Sequence, residues 1–299
     1  MALRRYFEKY VVIAHRYGAG LVIESPTWRA NSDWGDRLGY DAAALARASQ
    51  QAIALLRTIR SEAQDPTSIV ISGCIGPRGD GYSPSEQMDV QSAQAYHTAQ
   101  IETFASVFAA KRADVVSALT MTYVEEAIGI VLAARKAGIP VTISFTVETG
   151  GRLPSGQSLG SAIEQVDQAT DSAPAYYMIN CAHPTHFQRT VAVNEPWTER
   201  IYGIRSNASR KSHAELDDSE TLDEGNPTEL GRQSVALAKN LPNLALLGGC
   251  CGTDYRHIEA ICKAYFPSGG HSENSSAKNS LAENHSVRSS SAENYQKEI

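Results

Sequence analysis

Three things are scarce in this chain, and each absence removes a class of protein. No apolar stretch approaches the ~18 residues that a membrane-spanning helix requires, so no membrane partner is expected. Positive charge is not in surplus. Against 33 Asp and Glu stand 27 Lys and Arg, a net charge of −6 that offers no electrostatic footprint for nucleic acid. Cysteine is sparse and odd in number: Cys74, Cys181, Cys250, Cys251 and Cys262, five in all, at irregular spacing. That argues against a disulfide framework and for thiols held reduced, as metal ligands or reactive groups. The opening "MALRRYFEKYVVIAHRYGAG" has neither a secretory apolar core nor a small-residue cleavage site. Leu3, Phe7, Tyr10, Val11 and Ala14 follow helical spacing, and Glu8 interrupts the basic face of Arg4, Arg5 and Lys9. An amphipathic helix and a cytoplasmic location are the expectations.

What the chain does contain is a core and an alternating pattern. Hydrophobic residues make up 42% of its 299 positions and charged residues 20%, enough for one large α/β domain or two small ones. A helix from about Leu3 to Tyr17 leads into the strand "GLVIES". A polar loop with Trp28 and Trp34 follows, then a helix near Asp41 to Ala63. "SIVISGCIGP" reads as a strand, Ser85 to Ala110 as a helix, "ADVVSALTM" as a strand and "VEEAIGIVLAARKAG" as a helix. "IPVTISFTVE", "AYYMINC", "RIYGIRSNA" and "NLALLGG" read as further strands. Between and after them come helices at "SLGSAIEQVDQAT", Thr185 to Val193, Pro227 to Asn240 and "DYRHIEAICKAYF". Apolar β-rich runs separated by helices predict a parallel sheet with helices outside it. The count is seven strands, and the chain opens on a helix. That suits either an open doubly wound sheet or a (β/α)₈ barrel lacking its first strand.

Two regions lie outside this alternation. The polar, acid-centred stretch over 209–227 has a length that fits a lid or a solvated loop. From Ser268 an approximate ten-residue repeat begins ("SENSSAKNSL", "AENHSVRSSS", "AENYQKEI"), almost free of large apolar residues. Such a segment cannot bury enough surface to offset its ordering entropy, so it is expected to be disordered. The expected organisation is one domain over 1–267 and a disordered tail over 268–299.

The chemistry concentrates at "INCAHPTH" and "LLGGCCGTDY". Cys181 ends one predicted strand, and Cys250 and Cys251 end another. In parallel α/β folds the carboxyl ends of the strands form the functional face, so the three thiols are expected together. Adjacent cysteines bridge each other only with strain. Between glycines that allow sharp turns, both sulfurs can instead face one centre. Three thiolates at ~2.3 Å from a Zn²⁺ ion leave its fourth tetrahedral position open. Such a site is a poor Lewis acid for water. It suits a substrate thiol, which coordination deprotonates while the sulfur stays electron-rich enough to attack a methyl group. Cys262, on a helix, and Cys74, in "SGCIGPRG", read as packing. His183 and His186 are an alternative: with Cys181 they spell a possible Cys/His site of structural or hydrolytic type. Pro184 and the i, i+3 spacing suit a helix start equally well.

These residues resemble the homocysteine S-methyltransferase family. "INC" at a strand end and "LLGGCCGT" match its zinc-binding segments, "ISGCIGPRG" its "GSIGP" segment, and "ISFTVETGGRLPSGQSL" its "SFT…G.L..G.SL" stretch. The resemblance runs from about Leu3 to Pro267. It implies a (β/α)₈ TIM barrel, here apparently without its first strand. It also implies Zn²⁺ held by Cys181, Cys250 and Cys251, with homocysteine as fourth ligand and S-methylmethionine, S-adenosylmethionine or betaine as methyl donor. The small thiol and the methyl donor are thus the expected partners. Two family features are missing: the Asp-Gly-Gly segment of the first strand, and a glutamate at the position of Leu119, followed here by Thr120. Glu24 stands where it can compensate, Thr27 aligns with a family threonine, and Asn180 and Asn207 sit at strand ends suited to substrate or ligand-supporting contacts. A barrel short of one strand exposes two unpaired edges, so lowered stability and impaired catalysis are expected unless a partner or an upstream segment supplies that strand.

Overall fold

The computed structural model describes residues 2–82, 87–106 and 112–267. The tail expected from Ser268 lies outside the described residues, as do parts of the helix expected over Ser85 to Ala110. Helix α1 (Ala2–Tyr17) buries Phe7, Ile13 and Tyr17 on one face and leads into β1 (Leu21–Glu24). The polar segment that follows contains a short helix, α2 (Ser32–Leu38), which periodicity alone does not reveal. Asn31 starts it by accepting the backbone N–H of Trp34 at 3.1 Å. Asp41 opens α3 (Ala42–Glu62) in the same way, and its inner face carries Ile53, Leu56 and Ile59.

Strands and helices then alternate: β2 (Ile69–Ile75), α4 (Val90–Phe104), β3 (Val115–Met121), α5 (Val124–Ala137), β4 (Val141–Phe145), α6 (Leu159–Thr170) and β5 (Tyr177–Ala182). The helix expected over Thr185 to Val193 is a single turn, α7 (Pro184–Phe187). Beyond it the β-branched run Thr190–Val191 and Pro196 oppose continuation. β6 (Ile201–Ser206) is followed by α8 (His213–Asp217) and α9 (Pro227–Ala236). A 3₁₀ turn over Leu237–Lys239 extends α9 almost to the expected end. β7 (Leu246–Gly249) and α10 (Tyr255–Tyr265) complete the described fold.

The seven strands form one parallel sheet in sequential order, β1 to β7, each paired with the next. Every connection is a helix-containing crossover, so the sheet curls with its helices outside, as an incomplete (β/α)₈ barrel. The open doubly wound alternative would reverse strand order about a switch point, and no such reversal occurs. β3, β4 and β5 are buried along their whole length, which explains their continuous apolar runs. β1 and β7 are the edges and are only partly buried.

The helical layer closes where the strand layer does not. Arg16 pairs with Glu259 at 2.6 Å, the Lys9 ammonium lies 4.3 Å from the centre of the Tyr255 ring, and Tyr17 stacks on Phe266. Helix α1 therefore abuts α10 across the gap between the edge strands. The main core lies between sheet and helices, around Ile71, Phe104, Ile130, Phe145 and Phe187. A smaller cluster of Cys74, Leu119 and Met178, packed by Trp28, Tyr176 and Leu246, is separate from it. Among the described residues no helix is long and apolar enough to cross a membrane.

Candidate metal centre

The carboxyl ends of β5 and β7 flank that of β6, and this places the three cysteines together. The sulfurs of Cys181 and Cys251 lie 3.6 Å apart, and all three sulfurs lie within 4.8 Å of one another. Tetrahedral Zn–S bonds of ~2.3 Å set sulfurs about 3.8 Å apart, so the trio fits one shared ion. No other group of three or more His, Cys, Asp or Glu ligand atoms meets this spacing among the described residues.

The local backbone explains how. Cys181 has φ 55°, a left-handed conformation that an ordinary side chain adopts at a cost of roughly 1–3 kcal/mol. It breaks the alternation of β5, and the pairing with β6 slips between Asn180 and Ala182. On the other side, Gly252 has φ 77°, and a Cβ there would come 2.5 Å from the Asp223 carbonyl oxygen. A Cβ on Gly249 would strike the Thr253 hydroxyl. The glycines around the cysteine pair are thus demanded by a tight turn, closed by Thr253 donating to the Cys250 carbonyl at 2.7 Å.

Asn207 joins the two cysteine segments. Its amide nitrogen donates to the Cys181 carbonyl at 3.0 Å, and its oxygen accepts the Cys251 N–H at 3.1 Å. Asn180 is equally buried. Its oxygen accepts from the Thr120 N–H at 2.8 Å and the Ser144 hydroxyl at 2.7 Å. Its nitrogen donates to the Thr120 hydroxyl and lies 3.9 Å from the Cys250 sulfur. Thr120 also has a left-handed backbone, φ 65°, so Asn180 holds a strained end of β3 beside the sulfurs.

The electrostatics favour one shared negative charge. Hydrogen bonds from Cys181 and then Cys250 hold the Cys251 thiol far below its ordinary value, against the effect of burial. Cys181 is pushed well up by its bonds to Cys250 and Cys251, with burial adding to them. For Cys250 the bond with Cys181 works downward, but Cys251 and burial prevail and raise it to about 11.

Four further residues surround the sulfurs. The Tyr82 hydroxyl lies 3.3 Å from the Cys251 sulfur and 3.6 Å from that of Cys181. Burial, then the two sulfurs, push its ionisation far upward, so it donates. Its ring stacks on His213, centroids 4.0 Å apart. His213 lies 2.8 Å through Nε2 from the Cys181 carbonyl and 2.9 Å through Nδ1 from Glu148. Arg205 lends a positive charge that works to lower the Cys250 thiol. None of these four stands out in the sequence. Tyr82 follows a glycine-rich run after β2, and His213 sits in the acid-centred stretch, signals too common to select them.

The other candidates divide. Glu24 faces the barrel interior, already paired with Arg205. Thr27 is buried, and its hydroxyl donates to the Cys74 carbonyl at 2.8 Å. Leu119 is buried in the cluster with Cys74 and Met178. The histidines do not join the cysteine cluster. His183 caps α7, bonded to Thr185, and burial, with His186 and Arg210 nearby, pushes it down to about 4. His186 is bonded through Nε2 to the Arg210 carbonyl.

A structural match is the homocysteine methyltransferase MmuM from Escherichia coli in a metallated form, with TM-score 0.65 and 17% identity, over 87% of this chain and 83% of that one. An oxidised form of the same protein matches over 86% and 82%, with the same identity and TM-score. At this identity the likeness carries the fold. Comparison with curated protein sequences gave no match. The model of the family described as homocysteine S-methyltransferase matches residues 3–265. It spans every strand and all three clustered cysteines, and the chain belongs to the homocysteine S-methyltransferase family.

Proposed function

We propose that the protein transfers a methyl group to the thiol of homocysteine or a related small thiol, forming methionine, with Zn²⁺ held by Cys181, Cys250 and Cys251. The observation that carries this reading is the spacing of the three sulfurs, which matches one tetrahedral ion with a free position. A bound zinc ion supplies the charge that keeps an incoming thiol deprotonated at neutral pH. The chain's own residues do the rest. Asn207 and Asn180 fix the cysteine segments, as groups around metal ligands do. Tyr82 and His213 cover the sulfurs, and the Tyr82 hydroxyl is the group an entering thiol displaces. The donor is of the S-methylmethionine, S-adenosylmethionine or betaine type.

A second reading, a zinc-binding relative with impaired catalysis, draws on Leu119 in place of a carboxylate and on the two unpaired sheet edges. Metal analysis and a methyl-transfer assay across the three donors test both. We expect one zinc per chain, methionine formed from homocysteine, and both lost in Cys251→Ser. Zinc without turnover on any donor would leave the second reading. Purified protein without zinc, or zinc content unchanged in Cys251→Ser, would overturn both.

A further inference from the structure

Away from the sulfurs, two fully buried side chains face each other between α4 and α5. His97 of α4 stands with Nε2 2.9 Å from Oε1 of Glu126, in the first turn of α5. As a stabilising device such a pair is poor, since apolar residues of similar volume often do as well. Among the described residues, Glu126 Oε2 and His97 Nδ1 have no hydrogen-bond partner, which adds to the cost of burial. What the pair does hold is a backbone group. The Arg78 N–H donates to the same Oε1 at 2.7 Å. Arg78 belongs to the short run from the end of β2 to Tyr82. The Gly76 N–H is bonded to the Trp28 carbonyl at 3.1 Å, Gly79 has φ 79°, and a Cβ at Gly81 would come 3.1 Å from the Trp28 ring. Asp80 then accepts the Tyr82 N–H at 2.7 Å. Four residues after Arg78, this tight run delivers the Tyr82 hydroxyl to 3.3 Å from the Cys251 sulfur. The Arg78 side chain also pairs with Asp33 at 2.9 Å, but both are well exposed and that pair adds little. Glu126 is the firmer anchor.

We propose that Glu126 is a positioning residue for Tyr82, and that His97 holds it in place. By fixing the Arg78 N–H, the carboxylate sets how far the Tyr82 hydroxyl stands from the sulfurs, without touching sulfur or substrate itself. This rests on the reading in which Tyr82 covers the metal site until a thiol displaces it, and it names what holds the cover. The chemistry fits the task. A hydrogen bond to an ionised carboxylate is roughly twice as strong as one between neutral groups. A carboxylate clasped by a second helix does not turn away from its partner. Without the acceptor the run from Gly76 to Tyr82 keeps its tight turns but loses its buried tether. A shift of about 1 Å at Tyr82 then takes the hydroxyl out of hydrogen-bond range of the sulfurs.

The test is the absorption spectrum of the full chain loaded with Co²⁺, whose sulfur-to-cobalt charge-transfer band reports hydrogen bonds to the sulfurs. A donor hydrogen bond lowers the energy of the thiolate lone pairs, so its loss moves the band to longer wavelength. Tyr82→Phe sets the size of that shift. Glu126→Leu is expected to shift the band as far in the same direction, and His97→Leu part of the way. Glu126→Leu combined with Tyr82→Phe should shift it no further than either alone, because both act through one hydroxyl. Glu126→Gln keeps an oxygen for the Arg78 N–H and is expected to return most of the wild-type position. A merely structural pair would lower the melting temperature and leave the band where it is. A band unmoved by either Leu variant, shifts that add in the combination, or a Gln variant shifted as far as Leu would overturn the assignment alone. A band unmoved by Tyr82→Phe overturns the covering role of Tyr82 with it, and a wild type that binds no cobalt overturns the metal-dependent reading as well. Melting curves report whether the variants fold. Should the Leu variants not fold, Glu126→Asp places the carboxylate one methylene short of Arg78, and an unmoved band there would equally overturn the proposal.

Discussion

Asn207 carries the cysteine site at the scale of single residues. It offers one amide to both segments, taking the Cys251 N–H and giving to the Cys181 carbonyl. Asn207→Ala leaves the Cys251 N–H without its partner and removes one of the two bonds to the Cys181 carbonyl, which His213 keeps, a cost of about 1–3 kcal/mol. Zinc affinity should fall roughly 10–100-fold, as when groups supporting metal ligands are removed elsewhere. Chelator competition measures this fall, and wild-type affinity in the variant would refute the role. The sulfurs themselves predict a pH dependence. Hydrogen bonds within the trio push the Cys251 thiol down, whereas Cys181 and Cys250 are pushed up, towards the protonated form at neutral pH. A metal that binds thiolates must displace a proton from each of those two, so apparent zinc affinity should rise with pH and weaken in acid. Calorimetry in buffers of differing ionisation heat reads the released protons directly. No release at neutral pH would contradict the charge distribution.

At the scale of elements, the acid-centred segment between β6 and α9 proves neither free nor merely solvated. The Ser212 side chain starts α8 in a capping box with Glu215. Ser209 bonds Asp223 at 2.6 Å, Glu224 pairs with Arg256 at 2.8 Å, and the Asp223 carbonyl presses on Gly252. The segment is thereby fastened over the cysteine turn, and His213 is its inward anchor, 96% buried. His213→Ala would leave Glu148 and the Cys181 carbonyl without their shared partner and free the ring of Tyr82. We expect faster proteolytic cleavage within 209–227, together with weakened zinc binding, while the melting transition of the barrel shifts by only a few degrees. Cleavage at the wild-type rate would show that the other fastenings suffice.

At the scale of the whole molecule, the described residues combine a ring of helices, closed by α1 and α10, with an open ring of strands. Contacts between α1 and α10 bridge the gap, but β1 and β7 each keep one row of backbone groups outside the ladder. Inward-pointing charges at such edges discourage edge-to-edge association, and Glu24 at the end of β1 supplies one, paired with Arg205 of β6. A version of the chain in which a family-like strand is joined ahead of α1 should place that strand between β1 and β7 and bond both rows. Its melting temperature is expected to rise by at least about 2–4 °C for each kcal/mol gained in a domain of this size. Equal melting temperatures would mean that the helical ring already compensates for the opening.

How much of this was legible beforehand follows from the range of the forces involved. Alternating apolar strands and capped helices are written in neighbouring residues, so the seven strands, their parallel order and most helices could be read directly. The pair Cys250–Cys251 between glycines was legible for the same reason: thiol chemistry and turn geometry meet within a few positions. Helix α2 and the short α7 were missed or overextended because caps and β-branched residues outweighed periodicity there. What only the tertiary structure decided was the company each side chain keeps. It committed Thr27 to the Cys74 backbone and Asn180 to Thr120, sent Arg205 across β7 to Glu24, and brought Tyr82 and His213 onto the sulfurs. Those partners are separated by tens of residues and become neighbours only when the sheet curls, so no local pattern in the chain can encode them.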